Sequence, residues 1–143
     1  MIPLGERILL TLWVGGLWAI GFIAVPSLFA SLDDRALAGS LAGVRLETIA
    51  WIGLLCGLLL MAANQLRYAR RRVNWRLLVL LAMLMLVAAG QFLLAPMIAD
   101  LRAAGQVDSA GFAWLHGLAS GAYLVTSLLG LLLVAAGQNS GNN

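Results

Sequence analysis

Four uncharged apolar runs, at about 8–32, 48–66, 77–99 and 112–136, take up most of this 143-residue chain. Each is near or above the roughly 20 residues that carry a helix across a hydrocarbon core about 30 Å thick. In lipid the backbone has no water to bond. A spanning segment must satisfy its own amides, and a helix does so. The first run is longer than the roughly 7–15 apolar residues of a signal peptide, so it reads as a retained span. The expectation is an all-α, integral membrane four-helix bundle.

Composition agrees. Hydrophobic residues make up 62% of the chain and charged residues only 10%, where a soluble domain carries roughly 25% charged residues to face water. The nine basic residues are all arginine, and five of them fall in "RYARRRVNWR", as Arg67, Arg70, Arg71, Arg72 and Arg76. That clustering reads as a cytoplasmic loop under the positive-inside rule rather than as a nucleic-acid surface. Anionic lipid headgroups are a second reading for the same loop. Both termini are then expected inside as well. Tyr68 and Trp75 flank the loop, and Trp51 and Trp114 lie near the far ends of their helices, as interfacial aromatics do. Cys56, the single cysteine, sits in an apolar run and reads as a core residue. The tail at 137–143 is polar and glycine-rich and is expected to be disordered.

"GFIAVPSLFA" (21–30) and "QFLLAPMIAD" (91–100) each place a phenylalanine four residues before a proline. Proline deprives the carbonyl four residues back of its donor and bends the helix there, so Pro26 and Pro96 predict kinks at corresponding points of spans 1 and 3. The match predicts two hairpins, spans 1–2 and 3–4, arranged as a parallel repeat. Gly53 with Gly57, and Gly117 with Gly121, form two GxxxG pairs suited to close helix packing, within or between chains. The stretch 33–45 reads either as a loop or as an outward extension of the second helix, and Leu37, Leu41 and Val44 at helical spacing favour a short interfacial helix.

The fourth run carries the only histidine. At 100° per residue, His116, Ser120, Tyr123 and Ser127 fall at about 0°, 40°, −20° and 20°, one narrow polar face. It is expected to face the bundle interior, with Glu47 and Gln91 as available partners. Structural hydrogen bonding and a ligand or proton site both fit such a stripe. A bis-histidine haem would need a second chain, and the five methionines are too scattered for a copper site. No serine elbow, phosphate loop or intramembrane carboxylate pair is present, so no catalytic residue is assigned and no cofactor is predicted.

"LWVGGLWAIGFIAVPSLFASL" and "FAWLHGLASGAYL" resemble a bacterial family of four-helix membrane proteins, domain of unknown function 4149, which is similar to the eukaryotic transmembrane protein 205. The most specific element is Leu115-His116-Gly117 followed by Ser120, with Pro26 and Phe29 leaving span 1. The family often has asparagine where this chain has Tyr123. The resemblance implies four spans and a bacterial inner-membrane location, and no established reaction. More distantly the chain is similar to copper-resistance membrane proteins and small membrane protoporphyrinogen oxidases, which rely on further histidines. The functional expectation is a non-enzymatic protein that oligomerises or serves as an accessory subunit of a larger membrane complex. The alternative is a haem-, metal- or small-molecule-binding or transport bundle with its site around His116.

Overall fold

The computed structural model describes residues 4–68 and 74–138, and among them every regular element is helical. The first span is α1 (Leu4–Trp18), a π-helical turn (Ala19–Ala24) and α2 (Val25–Ser31). The second is one helix, α3 (Arg35–Tyr68). The third repeats the first, as α4 (Trp75–Ala89), a π-turn (Gly90–Leu94) and α5 (Ala95–Ala103), and the fourth is α6 (Ala110–Gln138). All four are long and apolar enough to cross a membrane. The chain is a multi-pass membrane protein.

The connections follow from local chemistry. Asp34 Oδ1 accepts from the amides of Ala36 (2.8 Å) and Leu37 (3.1 Å) and so caps α3. Asn74 does the same for α4, taking the Leu77 amide at 2.8 Å. After α5, Gly105 adopts φ +69. The amides of Gln106 and Gly105 turn back to the carbonyls of Leu101 and Arg102, a Schellman closure that favours glycine. Ser109 Oγ then takes the Phe112 amide at the start of α6.

Two expectations are corrected. Residues 35–45 are no separate interfacial helix but the first turns of α3, which at 34 residues is about 51 Å long. Ala36, Ala38 and Ala42 favour helix, and Ala38 and Ala42 are buried, so nothing breaks the element before the membrane. At the other end α6 runs through Gly137 and Gln138, which the sequence reading placed in the tail. Residues 139–143, like 69–73 with Arg70, Arg71 and Arg72, lie outside the described residues, and so do the side chains of Arg67 and Tyr68.

The spans pack in a ring: α1 against α3 and α6, α4 against the same two. Trp13 fills the centre with no exposed surface. Its indole lies on Gly53 and Gly57, and a Cβ on Gly57 would come within 2.6 Å of Leu84 Cδ2 and 2.8 Å of the indole. Leu10, Leu17, Ile49, Cys56, Leu60, Leu80, Met83 and Leu133 complete the core. The first GxxxG pair therefore works inside the chain, because only a bare backbone admits the tryptophan.

Each proline sits just past a π-turn. The Val25 amide bonds the Ile20 carbonyl, five residues back, and the Ala95 amide bonds Gly90 in the same way. Instead of a simple break at Phe22 and Phe92, the helix widens by one residue before the proline. Both phenylalanines lie in these turns and reach the opposite hairpin. Phe22 meets Tyr123 edge-on at 6.4 Å and Phe92 meets Trp51 edge-on at 5.6 Å. Beyond the turns, α2 packs on α3 and α5 on α6, and the Arg102 guanidinium of α5 reaches across to α3, where a Cβ on Gly39 would lie 3.6 Å from it. The hairpins thus touch at the π-turns through the two phenylalanines and again beyond them through Arg102.

Candidate functional site

The polar stripe on α6 divides along its length. Ser127 is fully buried and donates to the Tyr123 carbonyl at 2.9 Å, and buried Thr126 donates to Ala122 at 2.8 Å. Such bonds back to the preceding turn satisfy hydroxyls without a partner helix. Tyr123 is half-buried and reaches span 1, donating to the Leu17 carbonyl at 2.5 Å. The same phenol oxygen lies against Gly21, where a Cβ would come within 2.8 Å of it.

His116 and Ser120 do not enter the interior. Both are exposed. The imidazole stacks on Phe112 at 5.9 Å, nearly parallel at 4°. Glu47 is exposed on α3 and Gln91 half-buried in the second π-turn. Among the described residues no hydrogen bond joins either to His116. The reason is rotational. Thr126, Ser127, Gly130 and Leu133, the buried residues of α6, centre on a face roughly 60° round from His116 at 100° per residue. The stripe runs along the flank of that face on the side of span 1, where α2 has turned away. His116, Ser120, Gly117 and Gly121 consequently form one open flank. A Cβ on Gly117 or Gly121 would meet nothing within 4 Å, and Trp114, further round, is 68% exposed.

A second polar group lies at the opposite end and escaped the sequence reading. Glu6, Leu10, Leu60, Asn64, Arg76, Leu80 and Leu133 line a small recess to which all four spans contribute. Asn64, only 6% exposed, accepts from Asn74 Nδ2 at 3.3 Å. Its own Nδ2 is buried without a hydrogen-bond partner among the described residues. Of the arginines assigned to topology, Arg76 is thus a recess residue as well. The available signal was Asn64, which with the adjacent Gln65 puts two amides near the end of an apolar run. Among the described residues no three His, Cys, Asp or Glu side chains gather as a metal site.

A family profile described as "Domain of unknown function (DUF4149)" matches residues 8–107, which takes in the first three spans. No curated protein and no solved structure matches the chain.

Proposed function

This chain belongs to the DUF4149 family, and from that premise we propose that it is a non-enzymatic bacterial inner-membrane protein that works by docking another membrane helix. The occupant is either a second copy or a subunit of a larger complex for which this bundle is an accessory. Both termini and the arginine loop face the cytoplasm. The observation that carries the reading is the open flank of α6, where bare Gly117 and Gly121 adjoin exposed His116 and Ser120. Lipid offers no hydrophobic drive for helix packing and no partner for a hydroxyl. Small residues that admit a close backbone, beside polar groups that need a bond, suit a helix partner. Gly53 and Gly57 have the same spacing, but Trp13 already covers them.

The test is assembly in native membranes, by cross-linking followed by native mass spectrometry. Gly117→Ile with Gly121→Ile is expected to release a 15.1 kDa monomer with unaltered thermal stability. An assembly of unchanged size in that variant rejects the reading.

The alternative is a haem-, metal- or small-molecule-binding or transport bundle around His116. In its favour, the imidazole is exposed and makes no hydrogen bond among the described residues. One chain supplies a single histidine, so a metal or haem would need ligands from a partner as well. Additional bound mass that disappears in His116→Ala, with the fold intact, would establish this reading instead.

A further inference from the structure

We infer that the recess between the four spans binds one water molecule, which accepts a hydrogen bond from Asn64 Nδ2 and donates one to the Glu6 carboxylate. The orientation of Asn64 follows from its neighbours. The Leu77 amide donates to Asn74 Oδ1, which identifies the other Asn74 atom as its nitrogen. That nitrogen donates to Asn64 Oδ1, and the amide nitrogen of Asn64, a residue that lines the recess, is left buried and without an acceptor among the described residues. A buried amide donor left unmade is costly, and internal waters sit where such groups converge.

The charges select the occupant. Arg76 opposes a cation, Glu6 opposes an anion, and both line the same recess. A small neutral molecule that accepts on one side and donates on the other fits both, and the recess has room for about one water. A carboxylate offers about four lone-pair positions, so Glu6 can take this bond alongside any other. Leu10, Leu60, Leu80 and Leu133 line the rest of the recess, and Trp13 and Met83, with no exposed surface, fill the core above it. Hydration therefore stops at this level and does not continue through the bundle.

The test is proton-detected solid-state NMR on the full chain in lipid bilayers, with asparagine labelled in nitrogen-15. Polarisation is transferred from water to the side-chain amides. The expected result is a transfer peak at the Asn64 amide. That peak should persist in Glu6→Gln, which keeps an acceptor, and disappear in Glu6→Leu, which removes it. No water transfer to Asn64 in the native chain overturns the inference, and so does transfer from lipid headgroup protons instead. A peak unchanged in Glu6→Leu overturns the bridge. Should Glu6→Leu fail to fold, the native chain and Glu6→Gln decide the matter.

Discussion

The Tyr123 hydroxyl donates to the Leu17 carbonyl at 2.5 Å, across 106 residues of sequence. In an uninterrupted α-helix that carbonyl would receive the amide of Gly21, four residues on. Here the phenol oxygen lies against Gly21 instead, where a Cβ would come within 2.8 Å of it. A hydroxyl from span 4 thus stands in the ladder of span 1 at the entrance to the π-turn. Insertion of a side chain is one of the few physical causes of such a distortion.

Tyr123→Phe keeps the ring against Phe22 and removes the hydroxyl. It should destabilise the fold by about 0.6 kcal/mol, the average for hydrogen bonds between membrane helices, and by no more than about 1.7 kcal/mol. Reversible unfolding in mixed micelles gives the magnitude, and faster amide hydrogen exchange at Gly21 gives the location. Unchanged exchange at Gly21 would mean that the hydroxyl does not hold the turn.

The glycines of the two GxxxG pairs should behave oppositely. Gly57→Leu drives a side chain into Trp13 and Leu84, and overpacking of this kind costs about 1–3 kcal/mol. Gly117→Leu meets open space and should alter monomer stability by no more than about 0.5 kcal/mol. Thermal unfolding of the two variants side by side separates the covered helix face from the open one.

Loss of Asn74 should be felt twice. Asn74→Ala removes the cap of α4, worth about 1 kcal/mol, and leaves Asn64 Oδ1 without its donor. Asp34→Ala removes only the cap of α3, so Asn74→Ala should produce the larger fall in melting temperature. Equal falls would mean that the link to Asn64 adds nothing to stability.

His116→Ala should leave monomer stability within about 0.5 kcal/mol of the native value, as befits an exposed side chain whose contact is a ring stack on Phe112. Its effect should appear in assembly, as a weaker cross-link yield in membranes. A large loss of monomer stability would place the imidazole in a structural role instead.

Four spans, their helical form and the points where spans 1 and 3 leave regular α geometry could all be read from the chain. Lipid tolerates only self-satisfied backbone, and proline cannot donate. The buried place of Cys56 and the lipid-facing place of Trp114 followed from the same reasoning. What a helical wheel cannot supply is the direction of the bundle axis. The four polar residues of α6 lie within a narrow arc, but whether that arc points inward depends on where α1 and α4 pack. Packing turned it aside, leaving Ser127 inside and His116 outside. Nor does spacing distinguish one GxxxG pair from the other, since only the arrival of Trp13 at Gly53 decides which is filled. The recess is the extreme case. Glu6, Asn64 and Arg76 belong to three different spans, and only their meeting at one end of the bundle makes a polar site of residues that are unremarkable in sequence.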